Sequence, residues 1–162
     1  MPVFISYRHT DRDLATRINN RLQQFNVQTY FDVLDAESQS TDNITEVITR
    51  NITECTHLLA VISYTTAQSW WVPFEIGEAT ISGRRISSFQ VGHEALPLYL
   101  EKWPKMSNTL ELDLFIEEYR RESSKRSIGM ESMERATAGS AKGVGSADQF
   151  HKTLKERIRR GY

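Results

Sequence analysis

The sequence has 162 residues, of which 39% are hydrophobic and 25% charged, a composition typical of a globular domain able to bury its own core. Its formal net charge of −1 excludes nucleic acid and anionic membranes as principal partners on electrostatic grounds. Cys55 is the single cysteine, which excludes a disulfide framework and favours a reducing compartment. The sequence has no leader-like segment and no apolar run of about 18 residues, so we expect a cytoplasmic protein with one domain over residues 1–162.

Apolar runs alternate with segments of helical periodicity along the chain. Strands are predicted at residues 3–6, 27–31, 57–63 and 96–100. Helices are predicted at residues 11–24, with Asp11 as the candidate N-terminal cap, and at residues 44–55, 70–83, 107–119 and 150–158. Residues 84–91 are ambiguous and are assigned at most a short edge strand. The polar, weakly periodic residues 125–147 predict a mobile loop before the C-terminal helix.

This alternation predicts an α/β protein with a flavodoxin-like parallel five-stranded sheet and helices on both faces. The strand at residues 57–63 is continuously apolar, so we expect it to be central, with strand 3–6 between it and strand 27–31. Nearly complete burial is predicted for Ile5, Leu58, Ala60 and Ile62. Ligands of such sheets bind beyond the carboxyl ends of the strands. Three loops are therefore expected around one crevice: residues 6–11, 32–42 and 64–71.

The start of the helix predicted at residues 70–83 carries the most informative pair of side chains. Trp71 and Glu75 are four residues apart, so in a helix they share a face, and we expect them to open onto the predicted crevice. An indole wall beside one carboxylate is suited to hold a base and a sugar while a glycosidic bond breaks. A core tryptophan beside a solvated glutamate is the alternative interpretation of the same pair.

Several motifs, in chain order, resemble those of Toll/interleukin-1 receptor (TIR) domains. Residues 4–11, Phe-Ile-Ser-Tyr-Arg-His-Thr-Asp, resemble the first strand of that family and the acidic residue that follows it. Residues 57–64, followed by Ser69, Trp71 and Glu75, resemble the third strand and the S-x-W-x-x-x-E element of enzymatic TIR domains. The order of the motifs is more specific than any one of them.

Other segments refine this resemblance. Residues 27–32 and 95–100 resemble two further strands of the family. The loop at residues 32–42 lacks the Pro-Gly pair common in animal receptor adaptors, and the C-terminal Phe-Trp box of those adaptors is missing. The chain therefore looks more like the bacterial stand-alone branch of TIR domains, which includes enzymes that cleave NAD⁺.

The resemblance implies one of two modes of action. Some TIR domains cleave the nicotinamide–ribose bond of NAD⁺, whereas others are adaptors that signal through TIR–TIR assembly. In the first mode Glu75 is the catalytic carboxylate, NAD⁺ is the substrate and no cofactor is required. The substrate-binding residues implied by the resemblance are Trp71, Phe74, Ser6, Tyr7, Arg8 and Asp32.

Each of these assignments has a simpler alternative. Glu78 is a second carboxylate on the same predicted helix, and Tyr7 is placed to cover the edge of the sheet. Arg8, which suits a phosphate group, is also placed for a surface ion pair with Asp11 or Asp32. Asp32 is equally suited to form a turn in its loop.

Three other classes of site are disfavoured. The four histidines show no spacing of metal ligands, and no histidine is placed by the sequence as a base for Ser63 or Ser69. Ser6 and Tyr7 stand where a phosphoacceptor receiver domain requires acidic residues.

The resemblance also implies a biological setting. A stand-alone bacterial TIR enzyme is expected to self-associate and to serve anti-phage defence. It would act by depleting NAD⁺ or by making an ADP-ribose-derived messenger for a downstream effector. A non-enzymatic adaptor or a virulence effector is the alternative.

Overall fold

The computed structural model describes residues 1–31, 44–67, 71–92, 96–133 and 143–161 of the chain. Its strands are β1 (Val3–Ser6), β2 (Thr29–Tyr30), β3 (His57–Ile62), β4 (Arg85–Gln90) and β5 (Lys105–Met106). All neighbouring strands are parallel, in the order β2-β1-β3-β4-β5. This order confirms the predicted flavodoxin-like sheet, with β3 at its centre.

Helices connect the strands and cover both faces of the sheet. They are α1 (Arg12–Gln24), α2 (Ile44–Glu54), α3 (Tyr64–Ala67), α4 (Trp71–Ile81), α5 (Thr109–Met133) and α6 (Gly143–Arg160). Two short 3₁₀ helices precede α1 and β5, at His9–Asp11 and Leu98–Lys102.

The alternation of side chains along β3 builds two hydrophobic cores. Leu59 and Val61 point into a core formed with α1, α5 and α6, whereas Leu58, Ala60 and Ile62 point into a core formed with α2 and α4. The burial predicted from the sequence is confirmed: Ile5 is 3% exposed, Leu58 1%, and Ala60 and Ile62 0%. Strands covered on both faces are typically rich in apolar residues, and the run from Leu58 to Ile62 therefore indicates that β3 is central.

Two strand predictions are wrong. The segment predicted as a strand at residues 96–100 runs into the 3₁₀ helix Leu98–Lys102, directly after Pro97, which has no N–H to give to a sheet. The fifth strand is Lys105–Met106 instead. Residues 84–91 hold β4, which is no short edge strand: all six of its residues are buried between β3 and β5.

The predicted loop at residues 125–147 is also wrong over most of its length. Helix α5 continues to Met133 and α6 already begins at Gly143, while residues 134–142 lie outside the described part of the chain. The far end of α5 carries Gly129 and a few apolar residues among polar ones, without a regular apolar stripe, so hydrophobic periodicity could not reveal it.

A cluster of buried polar side chains lies at the amino ends of the central strands. Arg85, the first residue of β4, is 3% exposed, and its guanidinium binds both carboxylate oxygens of Glu122 on α5. Ser146 of α6 donates to Glu122 Oε1 at 2.8 Å, and His57 Nε2 lies 3.4 Å from Glu122 Oε2. Burial opposes the charge of Glu122, but hydrogen bonds from His57, Ser146 and Arg85 lower its pKa to about 2. The cluster ties α5 and α6 to the sheet.

On one side of β4, His151 of α6 accepts a backbone hydrogen bond that a neighbouring strand would otherwise accept. Because β5 has only two residues, the Ile86 N–H lies beyond its reach and donates to His151 Nε2 at 2.8 Å. Burial, the largest cause, lowers the pKa of His151 to about 4, and the nearby positive charge of Arg85 acts in the same direction. The neutral imidazole is therefore part of the folded sheet.

Replacing His151 with Gln keeps an acceptor for the Ile86 N–H and removes a titrating group. His151 binds its proton near pH 6.5 in the unfolded protein and near pH 4 in the folded protein. The stability that neutral His151 provides is therefore full above pH 6.5 and is lost as the pH falls towards 4. At about 1.4 kcal/mol per pKa unit, with partial exposure allowed for, His151 accounts for a loss of about 2 kcal/mol between pH 7 and 4.5. In urea unfolding at both pH values, His151→Gln should lose correspondingly less stability than wild type. An unchanged pH dependence would contradict this assignment.

Candidate active site

The predicted site residues meet at the carboxyl ends of β1 and β3. Strands β1 and β3 are neighbours in the sheet. After β1 the chain crosses to β2 on one side, whereas after β3 it crosses to β4 on the other side. In doubly wound sheets this switch point opens a crevice where ligands bind. The segments that follow β1 and β3 therefore form the candidate site.

A hydrogen bond between Ser6 and Glu75 joins these two segments. Ser6 is the last residue of β1, lies in register with Ala60 of β3 and is 1% exposed. Helix α4 carries Glu75 one turn after Trp71, and Ser6 Oγ donates to Glu75 Oε2. A hydroxyl that donates to a carboxylate stabilises its negative charge. The fold thus brings together the predicted catalytic carboxylate and one of the predicted binding residues.

The exposure of Glu75 corrects one expectation. The sequence predicts a carboxylate that opens onto a crevice, whereas the Glu75 side chain is 0% exposed. Burial of a carboxylate is costly unless hydrogen bonds compensate it, and Ser6 supplies one of them. Glu75 is therefore held inside the protein, directly behind the switch point.

The aromatic residues of α4 occupy different settings. Trp71 is the first residue of the helix, but its side chain lies outside the described part of the structure. Phe74 is partly buried and packs against the core formed with α2 and α4. A role for Phe74 as a wall of the substrate site stays a prediction.

Tyr7 and Arg8 follow β1 and lie against neighbouring loops. The Tyr7 ring stacks on Phe31 with ring centroids 5.2 Å apart and planes inclined by 26°. The Arg8 guanidinium donates from Nη1 to the Thr65 carbonyl at 2.9 Å, instead of pairing with Asp11. Asp32, together with the loop at residues 32–42, lies outside the described residues.

A group of hydroxyl side chains around Asp11 was missed by the sequence analysis, which considered Asp11 as a helix cap or an ion-pair partner. Asp11 makes no side-chain cap, and its Oδ2 accepts hydrogen bonds from Ser63 Oγ at 2.7 Å and from Thr66 Oγ1. Thr66 is 0% exposed. The polar run Ser-Tyr-Thr-Thr directly after the strongest strand was the signal that could have pointed to this contact.

Ser6→Ala is expected to lower the free energy of unfolding by about 1–3 kcal/mol, because it deletes a donor to a fully buried carboxylate. In a Glu75→Gln background the same serine substitution should cost only about 1 kcal/mol, because the neutral amide depends less on that donor. Urea unfolding of the two single variants and the double variant measures this coupling. Strictly additive effects would show that the charge of Glu75 does not strengthen its hydrogen bond with Ser6.

A separate groove of about 660 Å³ lies between α1, the end of β4 and the start of α5. Leu14, Ile18, Phe89 and Leu112 contribute its apolar floor. None of the predicted site residues lines it, so the groove is distinct from the Ser6–Glu75 site.

Among the residues that the structure describes, two further features are absent. No group of three or more His, Cys, Asp or Glu side chains is arranged to hold a metal ion. Across the same ranges, no helix combines the length and the apolar content that a bilayer span requires.

The strand order and the position of the site at the switch point define a flavodoxin-like α/β protein. A family model described as "TIR domain" matches residues 3–126. The chain therefore belongs to the TIR-domain family, which confirms the resemblance inferred from its motifs.

Among the solved structures that the chain resembles is a receptor that contains a TIR domain. A metazoan TIR-STING receptor from C. gigas, solved in complex with 2′,3′-cGAMP, is 22% identical with a TM-score of 0.48. The similarity covers 64% of this chain and 34% of the receptor, so it concerns about a third of that protein. A search of curated proteins found no match.

Proposed function

We propose that this TIR domain cleaves the nicotinamide–ribose bond of NAD⁺, with Glu75 as its catalytic residue. The observation that carries the proposal is the buried Glu75 carboxylate behind the switch point of a TIR fold, which accepts a hydrogen bond from Ser6 and lies one helical turn after Trp71. Burial of a carboxylate is costly, and carboxylates held in buried positions beside a ligand crevice are concentrated at functional sites.

One carboxylate is sufficient for this reaction. Most glycosidases need a second one as a general acid, because their leaving group is poor. Nicotinamide in NAD⁺ carries a positive charge and leaves as a neutral molecule, so no proton has to be supplied. Glu75 would stabilise the positive charge that develops on the ribose, and water would complete the reaction to nicotinamide, ADP-ribose and a proton.

The other predicted residues would bind parts of the same substrate. Trp71 and Phe74 would pack against the ribose or the nicotinamide ring. Arg8, next to the Thr65 carbonyl, is placed to turn its guanidinium towards the pyrophosphate. Tyr7 would close one side of the site, and Asp32 would contact the substrate from its loop.

Two outcomes of NAD⁺ cleavage fit a role in anti-phage defence. The protein would either deplete NAD⁺ or release an ADP-ribose derivative, hydrolysed, cyclised or conjugated, that a downstream effector senses. The competing proposal is a cytoplasmic adaptor or virulence effector that acts through TIR–TIR assembly without chemistry. Incubation of the purified protein with NAD⁺ separates the two: the enzyme releases nicotinamide, and the adaptor leaves NAD⁺ intact.

Self-association is expected to control the activity. Glu75 has no exposed surface in the single chain, so NAD⁺ reaches it only when neighbouring residues rearrange. Contacts between copies would stabilise the open arrangement by mass action, and nicotinamide release per molecule should therefore rise with protein concentration. The measurement is a wide dilution series with an inert carrier protein that prevents surface losses. A constant rate per molecule would identify a self-sufficient monomer.

A further inference from the structure

We propose that Asp11 is a positioning residue, which fastens the segment after β1 to the segment after β3 and thereby sets the geometry of the site. This inference rests on the proposed function. It extends the site to a carboxylate at the start of α1 that does not touch Glu75.

The contacts of Asp11 all reach the same short stretch of chain. Its Oδ2 accepts from Ser63 Oγ at 2.7 Å and from the buried hydroxyl of Thr66, and Ser63 Oγ in turn accepts the Thr66 N–H at 3.3 Å. Thr10 Oγ1 lies 3.4 Å from Thr65 Oγ1. Together with the bond from Arg8 to the Thr65 carbonyl, these contacts join residues 8–11 to residues 63–66. We call this set of contacts the Asp11 clasp.

The clasp lies beside the Ser6–Glu75 hydrogen bond along the same two segments. Ser6 immediately precedes the first segment, and the second leads into α4, which carries Glu75. The two segments are thus fastened twice, once through Glu75 and once through Asp11. A carboxylate that accepts two hydroxyl donors makes charge-assisted bonds, which are stronger and better defined in direction than neutral ones.

This arrangement has a consequence for catalysis. An error of about 1 Å in the placement of reacting groups can cost about a hundredfold in rate, even when the substitution is remote from the chemistry. Loss of the clasp would remove the side-chain contacts between residues 8–11 and residues 63–66 and would release Arg8 from the Thr65 carbonyl. Asp11 therefore acts through other residues and needs no contact with NAD⁺.

The test compares Asp11→Ala with Asp13→Ala. Asp13 is an exposed residue in the first turn of α1, so its removal takes away a similar charge from the same helix end without breaking the clasp. We expect kcat/KM for NAD⁺, measured per folded molecule, to fall about 10- to 100-fold in Asp11→Ala and less than about 3-fold in Asp13→Ala. Asp11→Asn keeps an acceptor oxygen and should recover most of the loss.

Two further readouts separate positioning from general stabilisation. Thr66→Val removes the buried donor, and combined with Asp11→Ala it should cost little more than Asp11→Ala alone, because both variants break the same contact. Amide hydrogen exchange of residues 63–66 should accelerate in Asp11→Ala and stay at the wild-type rate in Asp13→Ala.

The outcomes distinguish the clasp from the proposed function. If wild type releases no nicotinamide, the NAD⁺ proposal fails, and the exchange data alone decide whether the clasp exists. If Asp11→Ala matches Asp13→Ala in both kcat/KM and exchange, the positioning role is overturned. Additive effects of Asp11→Ala and Thr66→Val on kcat/KM would overturn it as well.

Discussion

Glu75→Gln is expected to lower nicotinamide release from NAD⁺ by about 10²–10³-fold, the loss typical of a single group that stabilises charge in a transition state. The substitution keeps the shape of the side chain and an acceptor for the Ser6 hydroxyl, but it removes the negative charge that would face the developing cation. The loss should fall on kcat, since the neutral amide still occupies the same space. Steady-state rates of nicotinamide release, measured by chromatography, give the comparison.

Glu78→Gln is the matched control, because Glu78 lies on the same helix and is the alternative candidate for the catalytic carboxylate. It should retain most of the wild-type rate. Because Gln keeps the volume of the side chain and creates no cavity, Glu75→Gln should stay folded, which urea unfolding measures. Equal rates for Glu75→Gln and wild type would remove Glu75 from the mechanism, and a large loss in Glu78→Gln alone would move the role to that residue.

Glu122→Gln is expected to lower the free energy of unfolding by about 3–5 kcal/mol, because it leaves the buried Arg85 guanidinium without its counter-charge. The pKa of Glu122 is about 2 in the folded state against 4.5 for the free side chain, so folding favours the charged form of Glu122. Its stabilising contribution is complete above pH 4.5 and is lost as the pH falls towards 2. The deficit of the variant should therefore be full at pH 7 and shrink in acid.

Glu117→Gln provides the control for this substitution. Glu117 is on the same helix and pairs with Arg157, but its side chain is 61% exposed. Exposed ion pairs contribute little, so the expected loss is below about 1 kcal/mol. Urea unfolding of both variants at pH 7 measures the difference, and similar losses would contradict the buried-pair interpretation.

Part of the fold could be predicted because β1 and β3 carry apolar runs. Strand β3 was recognisable from Leu58 to Ile62, and the order of the TIR-like motifs indicated the first three strands and the helices between them. Strand β5 could not be found in the same way, because two residues carry no periodicity and the apolar segment before it contains Pro97. The far end of α5 was missed for a related reason, because its sequence has no regular spacing of apolar residues.

The candidate site was predicted in part. Family resemblance selected Ser6 and Glu75, and the fold places them in contact across 69 residues of sequence. The burial of Glu75 could not be foreseen, because it depends on how α4 packs against α2, β3 and β4. The Asp11 clasp was missed because an aspartate before a helix suggests a local cap, whereas its partners lie 52 and 55 residues away. Local patterns predict local contacts, and long-range polar contacts follow from the packing.

The most direct test of NAD⁺ cleavage compares NAD⁺ with NADH as substrates for the concentrated wild-type protein. The proposed mechanism has no general acid and depends on the positive charge of the leaving group, which NADH lacks. We predict one nicotinamide released for each NAD⁺ consumed, no cleavage of NADH, and loss of the NAD⁺ reaction in the folded Glu75→Gln protein. NAD⁺ that stays intact beside the folded, concentrated wild-type protein would contradict the account.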